Sequence, residues 1–485
     1  MGESATRRRG LALAAAVAAA VACVASAACA PFPRWLGGPP PASPMGAMAP
    51  PAVAAPAIAV PDPVAPAPEP DPRRDTLPAN AKPDPVLPDI TTSDVVREAV
   101  SVFGDAPPPP AVTATSARPA GPVWDIDVRS YETHDRVEHF VRIFSTTARG
   151  WFEKSLQRQS RYGPLIAQRL RAGGLPEDMT WLALIESWYD PHAYSRAAAV
   201  GMWQFMAGTA RGVGLRVDWW VDERRDPVRS TEGAVRYLKS LRAQFGSMYL
   251  AAAAYNGGDG RVSRGLRRYA GDMDGVVGED RFFALSDTKY LRPQTRDYVP
   301  KLIAAALVGK EAARYGIRVD SLPLFVYDSV RAPASAPLAA IASAAGTTVA
   351  VLKDLNPHIL RGMTPDGAPL WVRVPTGADL AFADNFAALD PEERAAGKRV
   401  RSKKGESMTS IAKRNGLTAK QLSWYNRKVE RLRGGSLRAG QSIFVPALAT
   451  AGAALDVPDP SIERYPRRSR APKGRKTGTA TRKRP

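Results

Sequence analysis

The chain has 485 residues, 45 of them proline and 39 glycine, and carries a formal net charge of +20. That length suits roughly two to four domains, and so basic a balance favours acidic partners (nucleic acid, anionic lipid or an anionic polymer) without choosing among them. Both cysteines, Cys23 and Cys29, lie near the start, and the four histidines (His134, His139, His192, His358) contain no i, i+4 pair. This excludes a disulfide framework, a thiolate zinc site and a cysteine nucleophile in the body of the chain, and no metal or other cofactor is expected.

Residues 1–29 read as an export signal. Arg7, Arg8 and Arg9 form a basic start, Leu11 to Ala28 is an unbroken run of small and apolar residues, and Cys29 closes it behind Ser26-Ala27-Ala28. A cysteine at that place resembles a bacterial lipoprotein cleavage site, although Ser26 stands where the pattern usually has Leu. Lipidation at Cys29 is the expected anchor, and Cys23 is a second candidate. The alternatives are cleavage at an Ala-x-Ala site or an uncleaved anchor. From 30 to 122 the chain is dominated by Pro and Ala, a composition that builds no core and favours extended backbone. One island, 93–103, carries Val95, Val96, Ala99, Val100 and Phe103 at helical spacing behind Ser93 and ends at Gly104. It is either docked on the next domain or a free amphipathic turn.

From 123 to 320 the prolines thin out and helical periodicity takes over. Phe140, Ile143 and Phe144 make one stripe, Leu165, Ile166 and Leu170 a second, and Leu302, Ile303, Ala306 and Leu307 a third. Gly173-Gly174 before Pro176 is a stop-and-restart signal. Strand alternation is nearly absent, so a mainly α domain is expected. In the segment Trp181 to Tyr189, Leu182, Glu186 and Tyr189 fall on one helical stripe, placing one carboxylate among large apolar side chains. Such burial raises a carboxyl pKa and makes a general acid. On this helix alone, an ordinary exposed glutamate is the better explanation of the residue. Asp190, Asp218 and Asp226 read as turn and cap residues.

The surrounding motifs decide in favour of the acid. Glu186-Ser187 is followed by Ser195 through Val200, Gly201-Met202-Trp203-Gln204, Ala253-Ala254-Tyr255-Asn256-Gly257-Gly258 and Thr295 through Tyr298 to Lys301. In this order the segments resemble the soluble-lytic-transglycosylase catalytic domain, and within it the membrane-bound lytic murein transglycosylase D group, over roughly 136 to 310. The resemblance implies a lysozyme-like helical fold whose groove holds a peptidoglycan strand. It implies Glu186 as the single catalytic acid, with Ser187 and Ser195 positioning substrate. It further implies Gly201, Met202, Trp203 and Gln204 along the saccharide subsites, Ala254, Tyr255 and Asn256 across the cleft, and Tyr298 beside the acid. Trp203 and Tyr255 read alternatively as core aromatics. Where the family usually has Pro after the Gln motif, this chain has Ala207.

Two further segments share a plan. In 398–447 a short strand leads to a helix around Ser407–Asn415, Gly416 ends it, Thr418 and Gln421 form a capping box for a second helix, and Ser442 to Pro446 closes as a strand. This order resembles a LysM module, which binds N-acetylglucosamine-containing glycans. Glu406 replaces the usual Asp. A looser version, 325–377, carries Leu338, Ile341, Gly346, Thr348, Leu352, Leu355-Asn356-Pro357 and the strand Leu370–Val374, and reads as a degenerate LysM-like repeat or as a spacer. The remainder, 448–485, is expected to be a disordered basic tail, densest in charge from Ser461 onward. With only Tyr465 as an aromatic there, nucleic acid is not an expected partner. The expected partners are peptidoglycan, glycan through LysM, and a membrane through the N-terminal anchor, in a bacterial periplasm at the outer membrane. A lysozyme-type hydrolase and a non-catalytic peptidoglycan-binding scaffold are the competing readings.

Overall fold

A computed structural model of the protein describes residues 122–462. The signal segment with Cys29, the island at 93–103 and the basic stretch from 463 onward lie outside the described residues.

The first body is helical: α1 (Asp135–Ser145), α2 (Arg149–Ala172), α3 (Trp181–Ser187), α4 (Ala207–Gly212), α5 (Pro227–Phe245), α6 (Met248–Gly257), α7 (Asp259–Arg268), α8 (Asp280–Asp287) and α9 (Pro293–Lys310). At its centre runs α6, whose residues Met248 through Ala254 are all buried. Four successive alanines, Ala251 to Ala254, keep this helix thin, so α5 and α9 pack closely against it. Its N-terminus is held by Ser247, which accepts from the Leu250 amide, and by the Glu279 carboxylate, which accepts from the Met248 and Tyr249 amides. Those are the donors a helix start leaves unpaired. Gly258, at φ +86°, ends it. On α1, Val137, Phe140 and Phe144 face inward and pack on α9. The core extends past residue 320, because Phe325 and Leu355 belong to the same buried cluster.

The two repeats are small βααβ units. The first comprises β1 (Asp328–Ala332), α10 (Leu338–Ala344), α11 (Val349–Leu355) and β2 (Leu370–Val374). Two short helices, α12 (Phe382–Ala388) and α13 (Pro391–Arg394), which no sequence signal marked, lead to the second: β3 (Gly397–Arg401), α14 (Met408–Arg414), α15 (Ala419–Trp424) and β4 (Ser442–Pro446). Each has one antiparallel pair, Asp328 opposite Val374 in the first and Gly397 opposite Pro446 in the second. The repeats superpose in sequence at a constant offset: Leu338 with Met408, Ile341 with Ile411, Gly346 with Gly416, Thr348 with Thr418, Leu352 with Leu422. Asn356 and Asn426 show the equivalence best. Each amide donates to a carbonyl one turn back and to the closing strand, at Arg373 or Phe444, and each accepts the amide of that same strand residue. The Thr418–Gln421 capping box forms as expected.

The expected disordered tail does not begin at 448. Leu448–Ala453 forms α16, with Thr450, Ala451 and Ala453 buried. Gly362 allows this approach, since a Cβ there would lie 2.2 Å from the Thr450 carbonyl oxygen. The following segment returns to the helical body, where Arg211 donates to the Ser461 carbonyl. Composition alone marked this stretch as tail, whereas its alanines supply the small surface that close packing requires.

Candidate active site

Glu186 sits in the last turn of α3, whose residues Trp181 to Ile185 are all buried. The expected stripe does not continue to Tyr189. The helix ends at Ser187 because Trp188 and Tyr189 both take left-handed backbone, φ 59° and 55°, and Tyr189 turns back so that its hydroxyl donates to the Thr180 carbonyl. Glu186 is thereby left at the helix end, partly open to solvent, rather than sealed within a longer helix.

Burial pushes the Glu186 carboxyl up to about 7, against the opposing pull of the Tyr298 hydroxyl and the Lys301 ammonium. The Tyr298 hydroxyl donates to Oε1 at 2.5 Å. Tyr298 and Tyr255 are themselves held well above the usual phenol range by burial, then by the nearby Glu186 charge. Both therefore remain donors at any working pH.

The strand-poor loop from Tyr194 to Phe205 folds as a tight hairpin, with bridges from Val200 to Tyr194 and to Phe205. Ser195 closes its turn, accepting the Ala199 amide on its hydroxyl. Ser187 donates its hydroxyl to the Met202 carbonyl at 2.8 Å, and Tyr255 donates to the Trp203 carbonyl at 2.7 Å. The hairpin is thus pinned to α3 on one side and α6 on the other. Met202 and Trp203 are fully buried, and the Trp203 indole donates to Thr231 on α5. Trp203 is therefore a core aromatic that contributes its backbone, not its ring, to the pinned face of the hairpin. Gly201 and Ala254 are likewise buried, while Gln204, Tyr255 and Asn256 keep partial exposure. The Asn256 carbonyl oxygen accepts from the Thr295 hydroxyl.

Four of the six left-handed non-glycine residues among the described residues, Trp188, Tyr189, Ala198 and Gln204, lie on α3's end or the hairpin. Such strain of roughly 1–3 kcal/mol each collects at functional sites. Arg224 was not marked by the sequence. It is buried against Asp222 and donates to the Ala198 and Phe205 carbonyls, so one guanidinium ties both arms of the hairpin together. Asp190, Asp218 and Asp226 serve turns and a helix start, Asp226 accepting the Val228 and Arg229 amides. Among the described residues no His/Cys/Asp/Glu group has the arrangement of a metal site.

Tyr298→Phe is predicted to lower the rate by about tenfold or more, in the range of a lost charge-assisted hydrogen bond. Removing a donor that favours the carboxylate raises the Glu186 pKa further, so the alkaline limb of the pH–rate profile moves upward. A profile that keeps its midpoint contradicts this assignment.

A helical domain that presents one half-buried, near-neutral carboxyl beneath a pinned hairpin, followed by βααβ modules, has the form of a transglycosylase domain with LysM repeats. The Transglycosylase SLT domain family matches 164–274, the LysM-like domain of lytic transglycosylase MltD matches 326–391, and the LysM domain matches 403–446. Membrane-bound lytic murein transglycosylase D of Escherichia coli (strain K12) is 30% identical over 361 residues, covering 70% of this chain and 75% of that protein. The chain belongs to that family. Peptidoglycan transglycosylase gp16 of Escherichia phage T7 is 35% identical over 127 residues, 25% of this chain and 10% of that protein. Among solved structures, the 70 kDa soluble lytic transglycosylase of Escherichia coli aligns with a TM-score of 0.28 at 21% identity, covering 38% of this chain and 32% of that one.

Proposed function

We propose that this protein is a peptidoglycan lytic transglycosylase, cleaving the β-1,4 bond between N-acetylmuramic acid and N-acetylglucosamine and leaving a 1,6-anhydromuramyl end. The observation that carries the reading is Glu186: a carboxyl held near 7 by burial, with the Tyr298 hydroxyl on one oxygen. Most glycosidases need two carboxylates, one as acid and one as nucleophile or water-activating base. Glu186 is the one acid that a motif supports here, so in this reading the nucleophile comes from the substrate.

Glu186, protonated, gives its proton to the glycosidic oxygen. The substrate's 2-acetamido group supports the cationic centre, a known exception to the two-acid rule. The carboxylate so formed takes the proton of the muramyl 6-hydroxyl, which closes on the anomeric carbon. An intramolecular hydroxyl has a high effective concentration, so no water needs activation. Tyr298 stabilises the carboxylate between the two transfers. The hairpin backbone at Gly201–Gln204 and the Tyr255–Asn256 end of α6 line the saccharide subsites, with Ser187 and Ser195 fixing the hairpin. The second LysM repeat binds N-acetylglucosamine-containing glycan and raises the local substrate concentration. Lipidation at Cys29 anchors the enzyme to the outer membrane, facing the periplasm.

The test is mass spectrometry of muropeptides released from purified sacculi. Anhydro-ended products support the reading. Reducing-end products identify a hydrolase, and binding without release identifies a scaffold.

A further inference from the structure

The two repeats share one plan but not one role. In the second, the segment after Asn426 is open to solvent: Arg427, Lys428 and Glu430 through Gly435 are exposed, with Leu432 54% accessible. In the first, every residue from Leu355 to Pro365 is buried. What covers part of this run is the catalytic domain itself. Its segment Trp219–Asp222 pairs with 358–361, through a bridge between Val221 and Ile359, Asp222 donating to the His358 carbonyl at 3.0 Å and Leu360 donating to the Trp220 carbonyl at 2.9 Å. Arg361 donates to the Trp219 carbonyl and lies 3.7 Å over that indole ring.

One substitution within the repeat marks the difference. Where the second repeat has Phe444 on its closing strand, the first has Arg373. Its guanidinium forms a two-pronged ion pair with Asp226 at 2.8 and 2.9 Å, beneath the Tyr327 ring, while His358 Nδ1 stands 3.1 Å from the same carboxylate. Asp226 starts α5, and from that first turn the contacts run directly into the hairpin. Thr231 donates to the Pro227 carbonyl and receives the Trp203 indole N–H, Trp203 receives Tyr255, and Arg224, two residues before Asp226, clasps the arms of the hairpin.

We propose that the first LysM-like repeat is a buttress of the catalytic site rather than a glycan-binding module, and that Arg373 is a positioning residue acting through Asp226 on the hairpin Gly201–Gln204. A planar fork suits this task, since it fixes both the distance and the angle of the carboxylate it grips. Loosening that grip disturbs the walls of the cleft without removing any group that transfers a proton. The inference rests on the transglycosylase reading, in that the hairpin must line the glycan subsites.

The experiment uses the full chain and a short soluble glycan, two N-acetylglucosaminyl-N-acetylmuramyl units long, that occupies the cleft without reaching a repeat. Wild-type enzyme is assayed first, and failure to form an anhydro end there sinks the functional reading before any variant is made. With an active wild type, Arg373→Gln is expected to raise KM about tenfold with kcat changed less than about threefold, well within what a small misplacement costs, and to leave sacculus pelleting unchanged. Simple loss of folded protein lowers kcat at constant KM, and that result overturns the proposal. An unchanged KM with weaker pelleting also overturns it, by restoring the repeat as a glycan binder. Arg373→Lys, which keeps the charge but loses the fork, is expected to recover most of the KM. Should the Gln variant fail to fold, a KM for the Lys variant equal to that of wild type overturns the proposal, and an intermediate rise supports it.

Discussion

Glu186→Gln is expected to reduce anhydromuropeptide release by at least roughly a thousandfold, because it removes the group assigned to both proton transfers. The same change is expected to stabilise the fold. Burial raises the Glu186 pKa from the ordinary 4.5 to about 7, so the folded state holds a proton that the unfolded chain releases between those values. Stability therefore falls as pH rises through that window, and above it the carboxylate costs on the order of 3 kcal/mol. The amide carries no charge. Its melting temperature should match that of wild type near pH 4 and exceed it near pH 8. A variant less stable at pH 8 than wild type would show that the carboxylate is not desolvated. For wild type, activity should decline as pH rises through about 7, when the acid is lost.

Gly201→Ala is expected to have the second-largest effect, through geometry alone. Gly201 has φ +81°, and an added Cβ would sit 1.7 Å from the Arg224 carbonyl oxygen. A left-handed alanine costs about 1–2 kcal/mol, and overpacking against backbone adds about 1–3 kcal/mol more. Because both arms of the hairpin depend on Arg224, the damage falls on the cleft wall, and activity should drop more than about tenfold with the melting temperature several degrees lower. Gly150→Ala is the control. Gly150 lies in α2 with open space around its Cβ position, so alanine there should be neutral or slightly stabilising. Equal behaviour of the two variants would remove the hairpin from the account.

Local pattern made α1, α2, the repeats' helices and the closing strands legible, because each is written in consecutive residues: a stripe, a cap, a glycine stop. The motif glycines were also visible, and the structure supplies their reasons, Gly258 ending α6 and Gly257 lying against Thr295. The reversal at Trp188 and Tyr189 was not legible, since neither is a residue that advertises left-handed backbone. Arg224, Thr231, Thr295 and Arg373 were not recognised as supports of the site. Thr295 belongs to the Thr295–Lys301 motif but carries no signal of its own there, and the others act across the fold on partners far away in sequence. Arg373 carried one faint signal, a charge where the companion repeat has an aromatic. The folded segment at 448–462 was hidden by its alanine-rich composition, whose meaning depends on what it packs against.

The most direct test of the central claim, that the substrate and not water attacks the anomeric carbon, is cleavage in water enriched in heavy oxygen. Glycan cut by this enzyme is expected to yield anhydro ends without solvent label at the anomeric carbon, with no product from Glu186→Gln. Labelled reducing ends would mean that water is the nucleophile, and would contradict the account.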